Sequence, residues 1–276
     1  MVAAIIGPLV LGVLDYRTSD TTLHQIVGGD LAALFVVAPV CVIVAVLSWR
    51  GHRAAAVLAL APAVFALYTY AQLIVGNEYL RLPGNVEAFF PLLLSIFVTA
   101  AAVAVTAWNS TPKGDLPIVS RRLESAAAWL LIAIAVFVVV GLHARSYVDA
   151  LSGHPTSAQY VSSPTPFWLV KLMDLGIVVP AAVAVAIGLF RRQPWARKAM
   201  YAILGAYTLL ACSVTGMAAV MWFTDDPDAS GVTLVGTAGL TLALGGFVIH
   251  LYRPLFGRLA TLTAAPRASA PREKVN

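Results

Sequence analysis

Lys171 and Asp174 stand in the run Pro164–Pro180, PTPFWLVKLMDLGIVVP, which otherwise has the composition of a membrane-spanning helix. An ionised side chain at mid-membrane costs about 2.5–3.5 kcal/mol on insertion scales, so a carboxylate there faces a bundle interior or a wet cavity. The i,i+3 spacing puts both side chains on one helix face, with Trp168 a turn further out. Two chemistries follow. One is a self-neutralising ion pair that lets Lys171 snorkel outward. The other is a polar pocket in which Asp174 binds a cation or proton, or orients a substrate. Thr165 reads as the N-cap and Pro166 as the first helical residue. At 1.5 Å per residue, Lys171 then lies roughly 7 Å and Asp174 about 12 Å below the helix start.

Other polar groups gather at a similar depth. Tyr68 and Gln72 are four residues apart on one helix face, and Tyr70 and Asn77 fall on a neighbouring one. Tyrosines near an interface serve as aromatic-belt anchors, a role that does not suit Gln72. Asp30 follows Gly28-Gly29, which reads as a turn, so Asp30 is placed as the N-cap of the next helix. The predicted outer loops add His24, Glu78, Glu87, His143, Asp149 and His154, together with Asp225, Asp226 and Asp228. The acidic triplet reads as a solvated turn or, less specifically, a weak divalent-cation site. No two of the loop histidines have i,i+3 or i,i+4 spacing, so no metal site is expected. No Walker loop, dinucleotide fingerprint or HExxH motif is present, and no cofactor is expected.

The elements that must carry these residues are apolar throughout. The chain is 60% hydrophobic and 11% charged over 276 residues, with a mean hydropathy of +0.85. Soluble domains carry about 25% charge, so the chain belongs in a bilayer. Apolar runs predict eight spans: Val2 to Leu14, Leu31 to Trp49, Ala54 to Val75, Phe89 to Trp108, Ala126 to Leu142, Phe167 to Phe190, Ala199 to Phe223 and Val232 to Tyr252. None alternates with the period of a barrel strand, which leaves helices as the form that satisfies its backbone in lipid. The expected fold is an all-α polytopic bundle. Residues 1–260 form one transmembrane domain, and residues 261–276 form a disordered cytoplasmic tail. Cys41 and Cys212 sit mid-run and read as small buried hydrophobes.

The net charge of +5 is explained by topology. With eight spans and a cytoplasmic N-terminus, every Lys and Arg except Arg17, Arg81, Arg145 and Lys171 falls inside, as the retention of basic residues requires. All acids except Asp115, Glu124 and Glu273 fall outside. Both termini are then cytoplasmic. Losing the first span would move the N-terminus outside and leave the rest unchanged. The basic inner face implies membrane lipids as neighbours, and no nucleic-acid partner.

The motifs Gly28-Gly29-Asp30-Leu31 with Pro39, Ala66-Leu67-Tyr68-Thr69-Tyr70 with Gly76, Asn85 with Phe89, Ser95 and Phe97, Asp174-Leu175-Gly176 with Pro180, and Arg192-Gln193-Pro194-Trp195 span most of the chain. Together they resemble a family of uncharacterised bacterial multi-pass membrane proteins. Gly29 departs from that pattern, which has Gln beside the aspartate. The resemblance implies a bacterial inner membrane and supplies no activity. It does mark Asp30, Tyr68, Tyr70, Asn85 and Asp174, all of which the topology independently assigns to the outer half.

Three functions fit these residues. A bundle can bind or transport a small molecule or lipid through an outward-facing pocket lined by Asp30, Tyr68, Tyr70, Gln72, Asn85, Lys171 and Asp174. An intramembrane enzyme acting on a lipid or isoprenoid would use Asp174 or Asp30 as general acid or base with a tyrosine partner. A structural or assembly subunit would turn its polar face and small residues toward a second membrane protein.

Overall fold

A computed structural model describes residues 2–111, 116–117 and 119–256. The predicted tail at 261–276 lies outside the described residues, as do Lys113 and Asp115 of the topology argument. The described chain is all-α. Two short helices, α1 (Val2–Ile6) and α6 (Ala158–Ser162), accompany seven long ones. These are α2 (Asp20–Trp49), α3 (Ala54–Val75), α4 (Val86–Ser110), α5 (Arg121–Ala150), α7 (Pro164–Phe190), α8 (Pro194–Phe223) and α9 (Gly231–Phe256). Each is long and apolar enough to cross a bilayer, so this is a polytopic membrane protein with seven candidate spans.

The expected first span is therefore corrected. After the five residues of α1 the chain turns back, with Leu11 N donating to Ile5 O at 3.0 Å and Val13 N to Ile6 O at 2.9 Å. Leu14 and Tyr16 are buried in a cluster with Ala3, Val86 and Leu93. Ala3 and Leu14 of the run pack in a cluster with residues of α3 and α4, while Val2, Val10, Leu11 and Val13 are exposed. The run is too folded to cross.

Gly28-Gly29-Asp30 is also corrected, from a turn to the interior of α2, which starts at Asp20 with Ser19 as N-cap. The physical reason for the glycines lies across the helix interface. A Cβ on Gly28 would sit 2.4 Å from Gly216 O, and one on Gly216 would sit 2.3 Å from Gly28 O. The pair lets α2 and α8 cross with backbones in contact, the small-residue packing common in membranes.

Three spans contain a π-helical turn: Ala33–Val37 in α2, Phe137–Ala144 in α5 and Asp174–Val178 in α7. Pro39 and Pro180 each follow such a turn by two residues. A proline in a helix interior lacks one N–H and collides with the carbonyl four residues back. A widened turn relieves that collision and leaves the helix continuous. Gly141 lies inside the α5 turn, where a Cβ would meet the Phe137 ring at 2.9 Å.

The helix α8 runs through the middle of the bundle, packing on α2, α3 and α9. Its Met200, Tyr201, Leu204 and Ala206 are fully buried with Leu131, Ala182, Leu244 and Leu251. Large apolar side chains such as Phe35, Trp129 and Val235 point outward, as lipid-facing surfaces do. Cys41, expected inside, is among the exposed residues.

The end of the bundle that carries loops 76–85, 151–163 and 224–230 is tightly organised by polar contacts. Glu78 Oε1 accepts from Thr165 N at 2.7 Å, so a carboxylate from the α3–α4 loop serves the start of α7. Thr165 itself is helical, with Ser163 preceding the helix, which corrects the predicted cap. Asp228 accepts from Ala158 N and Gln159 N at 3.1 Å, and Asp226 lies 2.7 Å from His24 Nδ1. The acidic triplet is thus in part a structural clasp, with Asp226 buried, and not a solvated turn.

Candidate functional site

Asp174 opens the π turn of α7, and its carboxylate is held from two other spans. Tyr68 of α3 donates its hydroxyl to Oδ1 at 2.5 Å, and His143 of α5 places Nε2 2.7 Å from Oδ2. The His143 and Asp174 side chains are 9% and 14% exposed, so the cluster is drawn out of solvent while keeping an open face. Counting along the helices at 1.5 Å per residue, Asp174 lies about 15 Å from the start of α7, and Tyr68 and His143 about 10 Å from the ends of α3 and α5. All three sit in the half of the bundle nearer the loop end described above.

That open face borders a cavity of about 280 Å³. Its polar wall is Tyr68, Gln72, His143, Asp174 and Gln25, and its apolar wall includes Phe137, Leu142, Leu210, Val214, Leu240 and Leu244. The size is just below the range for drug-sized ligand sites, about 300–1,000 Å³. One polar end and a long apolar body match an amphipathic guest.

A second chamber, of about 90 Å³, adjoins the first. Gln25, Thr69, Gln72, Val170, Ser213 and Met217 line both. Its own walls carry Asp30, Tyr16, Tyr70 and Asn77. Asp30 is 8% exposed. Its Oδ2, together with Tyr16 OH and Gln72 Nε2, is buried with no hydrogen-bond partner among the described residues. Burial, with Asp30 and Tyr70 alongside, pushes the Tyr16 hydroxyl well above its ordinary pKa.

The residues anticipated from the sequence therefore separate. Tyr68, Gln72 and Asp174 meet at the larger cavity, and Asp30, Tyr70 and again Gln72 at the smaller. Asn85 is in neither. It accepts from Asp15 N at 2.8 Å and donates to Val13 O at 2.9 Å, pinning the N-terminal segment to the start of α4. Lys171 is not the partner of Asp174. It donates to Ser146 Oγ at 3.0 Å and lies 3.4 Å over the Phe167 ring, and no Lys171–Asp174 ion pair is among those of the described residues. The self-neutralising pair is overturned: the two carboxylate oxygens are held by Tyr68 and His143, and the Lys171 ammonium turns to Ser146.

The sequence places His143 in a loop, yet α5 runs on to Ala150 and carries it on a buried turn. Tyr16 was likewise outside the expected site. Nothing local in the sequence marks His143, and the shortness of the apolar run before Tyr16 is the one signal that this segment folds back instead of crossing. No protein family, curated protein or solved structure matches this chain.

Proposed function

We propose that this protein binds a small amphipathic molecule or lipid in the Asp174 cavity and transports it across the cell membrane. The guest's polar group faces the Tyr68–Asp174–His143 cluster and its apolar body lies along α5, α8 and α9. The observation that carries this reading is a carboxylate fixed by two other helices at the polar end of an otherwise apolar cavity. A carboxylate serving only to neutralise Lys171 would not border such a space. The excess of basic residues at the opposite end of the spans supports the loop end, and with it the cavity, facing outward.

The test is native mass spectrometry and lipid extraction on the full chain purified into nanodiscs. The wild type carries a bound species of defined mass that Asp174→Asn and His143→Ala lose at least tenfold. Equal retention in all three chains would remove the reading. The same cluster is the observation behind the enzymatic alternative, since a His–Asp pair with a tyrosine can move protons in acid–base chemistry. The two part on whether the species released from the wild type has the mass of the species taken up.

A further inference from the structure

The Asp30 chamber is a site apart from the Asp174 cavity. Three residues from three separate stretches of chain, Asp30, Tyr16 and Gln72, line it, and Asp30 Oδ2, Tyr16 OH and Gln72 Nε2 are buried without partners among the described residues. Leaving such groups buried costs about 1–3 kcal/mol each, more for a charged one. A fold that retains three of them in one chamber has concentrated that cost where something binds. The space of about 90 Å³ is well above the ~10–15 Å³ that a single water needs, so it has room for several waters on polar partners.

The titratable groups lining the chamber beside Asp30 are Tyr16, from the N-terminal cap, and Tyr70, from α3. The segments of α7 and α8 that face it supply Pro166, Leu169, Val170, Ser213 and Met217, none of them titratable. Among the described residues no cationic side chain lines it. The cap is held close, because a Cβ on Gly7 would stand only 3.4 Å from Asp30 Oδ2.

We propose that this chamber is an intramembrane proton-binding site, in which Asp30 takes a proton from chamber water and Gln72 links its occupancy to the Asp174 cavity. The step balances simply: an O–H bond forms at Oδ2, a hydronium O–H bond breaks, and the products are a neutral carboxyl and water. Gln72 is the physical link because its side chain lines both spaces. The coupling rests on the transport reading above, and the proton site does not.

Infrared difference spectroscopy of the purified full chain in nanodiscs, titrated from alkaline to acid, tests it. A protonated-carboxyl stretch that rises on acidification is expected in wild type and in Asp174→Asn, and is absent in Asp30→Asn. Tyr16→Phe keeps the band but moves its midpoint by about tenfold in proton concentration, equivalent to roughly one pKa unit. Persistence of the band in Asp30→Asn overturns the proposal, as does a wild type without it. Repeating the titration with sodium in place of choline separates the two candidate cations. A midpoint that sodium leaves in place is expected, and a carboxyl that stays ionised to the acid limit in sodium assigns the chamber to that ion and overturns the proton. Guest retention by the wild type is expected to depend on pH, and Gln72→Leu to remove that dependence without removing the band. Loss of guest binding specificity with the band intact would sink the transport reading alone.

Discussion

His143 Nε2 lies 2.7 Å from Asp174 Oδ2, joining the π turn of α5 to the π turn of α7. The wider turn lets a helix redirect one side chain without ending, and here both members of a buried polar contact sit on such turns. The contact is therefore expected to hold the two helices as well as the guest. His143→Ala leaves Oδ2 without its partner, and a hydrogen bond to a charged group is worth about 1.5–3 kcal/mol. Thermal unfolding in detergent should show that loss, with His143→Gln recovering part of it. An unchanged midpoint in His143→Ala would mean that the contact contributes nothing.

Lys171 makes the converse prediction. Its ammonium is satisfied by Ser146 and the Phe167 ring, away from the cavity lining. Lys171→Met removes a hydrogen bond to a neutral hydroxyl and keeps the packing of the stem, so a stability change within about 1 kcal/mol is expected. Guest retention should stay within twofold of wild type. A loss as large as that of Asp174→Asn would restore the ion pair that the geometry argues against.

Much of this was legible residue by residue. The bilayer, the all-α form and all seven candidate spans follow from apolar runs that need no partner to be recognised. Tyr68, Gln72 and Asp174 stand out because they are polar groups in apolar runs, although an aromatic belt would also account for Tyr68 and an ion pair with Lys171 for Asp174. What escaped was information held between segments. Gly28 reads as a turn until Gly216 is known to press on it, and these two are far apart in the chain. His143 reads as a loop residue because the polar turns after it, Arg145 to Asp149, look like the end of a span, although α5 continues to Ala150. Val2 to Leu14 reads as a span by hydropathy alone, since hydropathy does not distinguish burial under a cap from burial in lipid. Asn85 reads as a pocket residue, yet it lines neither cavity and bonds the N-terminal segment.

That role gives a third prediction. Asn85 holds residues 13–15 through both its amide groups and its backbone, whose N donates to Asp15 O at 3.0 Å. Two side-chain bonds at about 0.5–1.5 kcal/mol each set the scale of the loss in Asn85→Ala. The damage should be local. Hydrogen exchange is expected to rise in residues 2–16 and to stay unchanged in α8, and limited proteolysis should open the same segment. Protection lost throughout the bundle would mean that Asn85 supports more than the cap.

The Gly28–Gly216 crossing carries the most severe expectation. Each absent Cβ would meet the other residue's backbone at 2.4 Å or less, and backbone has no rotamer by which to yield. Either Gly28→Ala or Gly216→Ala must push α2 and α8 apart, and overpacking of this kind costs about 1–3 kcal/mol. Because α2 carries Asp30 and Gln25 while α8 carries Ser213 and Met217, the displacement falls on the walls of both cavities. A lower unfolding midpoint together with weakened guest retention is therefore expected from a substitution that touches no guest. Combining the two substitutions should cost less than the sum of the single losses, since separating the helices once accommodates both methyl groups. Strict additivity in that double-mutant cycle would show that the two glycines do not face each other.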